Sequence, residues 1–237
     1  MGGRLRFGRT ARFLAPLALA LAAAATGAQP AAGTKAGPAD ELPVRAVRLP
    51  AGERLVLDGT LAHPAWQRAP VHAQFTEKAP DTGAVPTHPT RVRVLFDDQA
   101  LWVGIEALDD APEHIRAPLV RHDGVNRTQD FVVVYLDAIG LRQSAQFFRV
   151  NAAGSLADGM HTAADDSEDF APDFDFDAAT SRQVADGSGG WTAVLRIPFA
   201  SLRFAEPGPD GRLPWRIMVG RRVPRAQFYL HTSVPIP

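Results

Sequence analysis

The sequence contains no cysteine among 237 residues. That excludes disulfide frameworks, thiolate zinc sites and thiol nucleophiles. Tyrosine is scarce, with 2 against 13 phenylalanines, which favours a buried aromatic core over a wet aromatic surface. Neither sign of charge dominates: 25 basic and 26 acidic side chains leave a net charge of −1. The first 28 residues hold Arg4, Arg6, Arg9 and Arg12 and no acid; without them, 209 residues carry 21 basic and 26 acidic groups, a charge of −5. Such a surface argues against a nucleic-acid partner, which is held by phosphate neutralisation. Long apolar runs are also missing. The longest, Phe13 to Ala25, has 13 residues and contains Pro16, well short of the ~20 needed to span a bilayer.

What is present at the N-terminus is an export signal. A positive stretch, a short apolar run and the small residues Thr26, Gly27 and Ala28 have the order of a secretory signal peptide. Residues 1–28 are therefore expected to be removed, with a permanent signal anchor as the alternative. Residues 29–42, rich in Ala, Gly and Pro, are expected to form a flexible leader. The remainder, 43–237, is expected to be one exported domain, periplasmic, outer-membrane-associated or secreted.

The remainder has the patterning of strands. Arg91 to Phe96 alternates, Asp97-Asp98-Gln99 supplies a turn, and Leu101 to Leu108 alternates again, with Leu101, Val103, Ile105 and Ala107 on one face. Phe131 to Leu136 is almost wholly apolar, as in a strand covered on both faces. Gln143 to Val150, a strand ending near Ala185, Trp191 to Ile197, Trp215 to Val223 and Phe228 to Val234 follow between turn residues. Twenty glycines and 20 prolines suit the turns. Only Leu61 to Arg68 and Pro198 to Leu202 carry helical signals. Roughly ten strands at this spacing predict an all-β fold, an antiparallel β-sandwich or jelly roll.

Catalytic patterns are missing. No G-x-S-x-G elbow, zinc-binding His pair, phosphate loop or dinucleotide fingerprint occurs. The seven histidines are scattered, and a glycosidase carboxylate pair cannot be chosen from 26 acids. A non-enzyme is expected, with a lone glycoside hydrolase as the weakest alternative. The sharpest local feature is acidic: Asp165, Asp166, Glu168 and Asp169, followed by Asp173, Asp175 and Asp177. Ala178 and Val184 stand where an EF-hand needs Gly and Glu, so that motif is rejected. Two readings stay open. One is a solvated loop running into a strand whose Phe174 and Phe176 face the core. The other is a structural calcium site on Asp165, Asp166, Glu168 and Asp169. Trp102 is likewise open, between stacking on a sugar from an exposed sheet face and packing within the protein. Trp66, Trp191 and Trp215 are expected to be core or edge residues.

Several motifs in order resemble the family nine carbohydrate-binding modules. They are Leu57-Asp58-Gly59 with Pro64-Ala65-Trp66; Val94-Leu95-Phe96-Asp97-Asp98 with Leu101-Trp102-Val103; Asp130-Phe131-Val132-Val133-Val134-Tyr135-Leu136-Asp137; Gln146-Phe147-Phe148-Arg149-Val150-Asn151; and Gly190-Trp191 through Ile197-Pro198-Phe199 with Ser201-Leu202-Arg203-Phe204. They run from about Leu55 to Pro237. The nearest version is the subset at the N-terminus of large bacterial outer-membrane proteins, which continues beyond the segment matching Ser233 to Pro237; a truncated member is the expectation.

The resemblance implies non-catalytic binding of an oligo- or polysaccharide, a link to polysaccharide breakdown, structural calcium, and a partner such as an outer-membrane barrel. It places Arg149 and Asn151 on the hydroxyl-binding strand. Arg127 stands where sugar-binding members carry a clamp Trp, Val133 where they carry a Glu, and Phe228 or His231 near the second clamp Trp. The site expected from these matches is Arg149, Asn151, Arg127 and Trp102. The alternative is a docking domain that keeps the sandwich, spends Arg149 and Asn151 on internal partners such as Asp130 or Asp137, and has lost the sugar site.

Overall fold

Apolar residues repeating every second position leave each strand one face to bury, and here two sheets bury those faces against each other. The computed structural model describes residues 44–206, 209 and 215–235. The expected signal peptide and leader lie outside the described residues. Among the described residues twelve strands run in chain order as β1 (Ala46–Arg48), β2 (Thr76–Ala79), β3 (Thr90–Phe96), β4 (Ala100–Leu108), β5 (Phe131–Asp137), β6 (Ser144–Asn151), β7 (Leu156–Thr162), β8 (Ser167–Asp169), β9 (Asp177–Ser181), β10 (Gly190–Pro198), β11 (Arg216–Pro224) and β12 (Phe228–Thr232). One sheet has the order β1-β3-β4-β10-β9 and the other β2-β12-β11-β5-β6-β7-β8. The expected β-sandwich is what forms, with one departure from pure antiparallel pairing: β1 runs parallel to β3.

The core lies between the sheets. Val92, Val94, Leu101, Val103, Ile105, Trp191, Ala193, Leu195 and Ile197 come from one side; Val132, Val134, Leu136, Phe148, Val150 and Val219 come from the other. Phe176 joins them and Phe174 packs alongside, while Asp173, Asp175 and Asp177 are exposed. This is the first of the two readings of that segment.

The outer face of the five-stranded sheet is covered as well. Leu49, Leu61, Ala65, Trp66 and Ala69 pack onto Leu95, Ala100, Trp102 and Val194. Close approach is possible because β4 carries Gly104: a Cβ there would lie 2.9 Å from both Leu61 Cδ2 and Trp66 Cζ3. The helix expected over Leu61 to Arg68 is cut to α1 (Ala65–Arg68), one turn. Pro64 excludes the residue before it from the helical region, so the turn starts at the proline. Pro198 to Leu202 shrinks to a 3-10 turn, Phe199–Ser201. Among the described residues no helix is long and apolar enough to cross a membrane.

Candidate functional site on the seven-stranded sheet

Residues of β5 and β6 that point away from the core form the outer face of the seven-stranded sheet. Register aligns them in rows: Arg222 of β11 opposes Phe131, which opposes Asn151, and Gly220 opposes Val133, which opposes Arg149. Phe131, Val133 and Phe147 pack with Val125 and Ala157, and Tyr135, Val120 and Phe170 close around them. An apolar floor therefore carries two guanidinium groups.

Arg149 is buried in this floor. Its guanidinium carbon lies 4.5 Å from the Phe131 ring centroid, 5.2 Å from that of Phe147 and 5.7 Å from that of Phe170. Nη1 donates to the Val125 carbonyl at 3.2 Å and Nη2 to Glu168 Oε1. The Tyr135 hydroxyl donates to the same carboxylate oxygen at 2.8 Å. Burial, reinforced by that carboxylate, pushes the Tyr135 hydroxyl upward, so it stays a neutral donor.

Asn151 is fully engaged. Nδ2 donates to the Pro118 carbonyl at 2.8 Å and to Gln129 Oε1 at 2.9 Å. Oδ1 accepts from the Ala153 and Ser155 amides at 3.0 and 2.9 Å. Two donors and two lone pairs complete its inventory, so in this conformation nothing is left for a ligand. The partners of Arg149 and Asn151 are not Asp130 or Asp137. Asp130 pairs with Arg225 and the Arg116 amide, and Asp137 caps the following turn through the Gly140 and Arg142 amides.

Arg127 is exposed on the loop before β5. Its carbonyl accepts from Arg222 Nε at 3.4 Å, and the Arg222 guanidinium lies 5.7 Å from the Phe228 ring centroid. Phe228 is 47 % exposed. Arg127, Arg222 and Phe228 thus meet at one corner of the sheet, at two of the positions the resemblance assigns to clamp rings. Arg222 was not foreseen. Its only sequence signal is its even spacing from Gly220 on a strand that pairs with β5.

Trp102 is elsewhere. It sits on the other sheet, 5 % exposed, and Nε1 donates to Asp97 Oδ2 at 2.9 Å. The open sheet face on which it could have stacked a sugar does not form, because residues 49–69 cover it. Its indole walls a cavity of about 550 Å³ beside Arg48, Glu53, Arg54, Asp98 and Arg196. Partial burial opposes the Asp97 charge, but the bonds from Trp102, Gln99 and Ala100 prevail and hold its carboxyl below the usual range.

The four calcium candidates diverge. Asp165 accepts from Ser167 Oγ at 2.6 Å, Asp166 Oδ1 lies 3.0 Å from His161 Nε2, Glu168 turns to Arg149, and Asp169 accepts from the Ala171 amide at 2.9 Å. Carboxylates aimed at separate partners do not supply the shared oxygen cage calcium needs. Among the described residues, ligand atoms come within 4.8 Å of one another in His88–Asp109–Asp110 and His122–Asp158–Asp173. Each includes an imidazole, a poor calcium donor, and the first adjoins Arg221 and Arg225.

A polar cluster closes one end of the core. Arg221 is fully buried, with Nη1 donating to the Pro89 carbonyl at 2.9 Å and Nη2 3.7 Å from Asp109. Burial pushes its pKa down to about 10 against the opposing charges of Asp109 and Asp130. His231, also on the inner face, is therefore not the second clamp.

No protein-family model matches the chain, and no curated protein matches it. Solved structures do. A family 9 carbohydrate-binding module from Caldicellulosiruptor kristjanssonii in complex with cellotriose aligns at TM-score 0.52 and 15 % identity, over 79 % of this chain and 82 % of that one. Its complex with glucose aligns at 0.53 and 15 %, over 80 % and 85 %. A Bacteroides uniformis protein, provisionally designated carbohydrate-binding, aligns at 0.56 and 12 %, over 81 % and 89 %. The chain has the β-sandwich fold of the family 9 carbohydrate-binding modules.

Proposed function

We propose that the chain is a non-catalytic saccharide-binding module, exported and linked to polysaccharide breakdown. Its binding surface is the corner of the seven-stranded sheet where Arg127, Arg222 and Phe228 meet. The observation that carries this reading is the exposed Phe228 ring backed by the Arg222 guanidinium. An aromatic face accepts the C–H face of a sugar, and adjoining guanidinium N–H groups donate to its oxygens. Support comes from the fold shared with modules whose structures hold cellotriose and glucose. One ring and one guanidinium plane replace a pair of rings, so binding is weak.

A glycan array with the folded chain tests the proposal. At least one oligosaccharide class is expected to bind, with loss in Phe228→Ala; an empty array would overturn it. The second reading, docking to an outer-membrane barrel or another extracytoplasmic partner, is favoured by one fact. Arg149 and Asn151 are both spent on internal partners. It predicts an empty array and co-purification with that partner.

A further inference from the structure

The charge at the proposed corner is unbalanced. Three arginines gather at the outer face: Arg149 on β6, Arg222 on β11 and, on the loop before β5, Arg127, whose carbonyl accepts from Arg222 Nε. Among the described residues only Glu168 forms an ion pair with any of them, and it is bonded to Arg149 and Tyr135. Among the described residues Arg127 and Arg222 have no carboxylate within ion-pair distance. Partial burial and then the charges of Arg127 and Arg149 push the Arg222 pKa down, so Arg222 lies within the fields of the other two. The whole chain carries a net charge of −1, so this concentration is local.

A neutral hexose needs acceptors as well as donors around its hydroxyls. This corner offers guanidinium donors beside a ring and, in Arg127 and Arg222, charges left unpaired. Planar guanidinium groups match carboxylate and sulfate oxygens in paired hydrogen bonds, and an anion would offset the cost of leaving the half-buried Arg222 charge unpaired.

We infer that the saccharide is acidic: a uronate or sulfated sugar whose anionic group sits between Arg127 and Arg222 while its ring packs on Phe228. This rests on the saccharide-binding reading and narrows it.

Isothermal titration separates the two. The probes are oligogalacturonate, a sulfated oligosaccharide, cello-oligosaccharide and polyglutamate, each at low and high salt. The acidic oligosaccharides are expected to bind about tenfold or more tighter than the neutral one, with the preference shrinking in salt. Arg222→Gln should abolish that preference. Arg127→Gln, at an exposed side chain, keeps the test available if the Arg222 variant fails to fold. Comparing galacturonate with sulfate identifies which anion is read. Equal or tighter binding of the neutral oligosaccharide would overturn the inference and leave the module reading intact. Heat from no saccharide would overturn both. Acidic binding unchanged in both variants, or matched by polyglutamate, would also overturn the inference.

Discussion

Arg225 Nη1 donates to Asp130 Oδ2 at 2.9 Å, joining the β11–β12 turn to the residue just before β5. The Asp130 side chain is fully buried, and Nη2 of the same guanidinium reaches the buried Asp109 at 2.6 Å. Arg225 therefore pairs with two carboxylates taken out of water, one of which, Asp109, also lies 3.7 Å from Arg221. Arg225→Met leaves both short of a partner, and breaking a buried pair from one side costs about 3–5 kcal/mol. Urea denaturation should show a loss of that size. A change within 0.5 kcal/mol, the range of ordinary surface substitutions, would show the contact to be unimportant.

Trp102 should prove structural. Trp102→Ala removes a large buried ring and frees Asp97 of its indole bond, and is expected to cost about 3–5 kcal/mol. Trp102→Phe should cost less. Saccharide binding by the folded Phe variant, measured by titration, should equal that of the wild type.

His231 gives the fold an acid-sensitive end. Burial first, then the charges of Arg221 and His88, lower its pKa to about 3. Glu77 Oε2, 3.7 Å away, does not offset them, so the native ring is neutral. Its folded pKa lies below the unfolded value of about 6.5. The unfolded chain therefore takes up the proton first, and stability present above that pH is lost as pH falls toward 3. His88, lowered for the same reasons, acts in the same direction. Thermal melts across this window should show the loss, and His231→Gln should flatten it. A melting temperature independent of pH would contradict the assignment.

The strands that were legible in the sequence are those with clean patterning. The β3–β4 hairpin, β5, β6, β10 and β11 fall within a residue or two of expectation, because alternation and short apolar runs report burial directly. β7 (LADGMHT) was hidden: Gly159 stands where a Cβ would meet the Asp169 carbonyl at 2.1 Å and the Phe147 ring at 2.9 Å. That close approach erases the alternation that would have revealed the strand. β2 (TEKA) and β8 (SED) are short and polar, as edge strands often are. The strand expected to end near Ala185 stops at Ser181.

The site was legible as positions but not as contacts. Arg149 and Asn151 do lie on the outer face of one strand, yet their partners Val125, Gln129 and Pro118 are brought in by loops and Glu168 by the short edge strand β8. Trp102 was placed on the correct side of β4, but the cover supplied by residues 49–69 leaves no trace in the periodicity of β4. Arg225 and Asp130 are 95 positions apart, and nothing local in either segment announces the pair.

Backbone amide shifts during saccharide titration test the binding surface most directly. The account predicts perturbations that saturate together at Arg127, Arg222 and Phe228 and spread along β11 and β12, with Trp102 and its cavity unchanged. Shifts confined to residues around Trp102, or none with any neutral or acidic oligosaccharide, would contradict it.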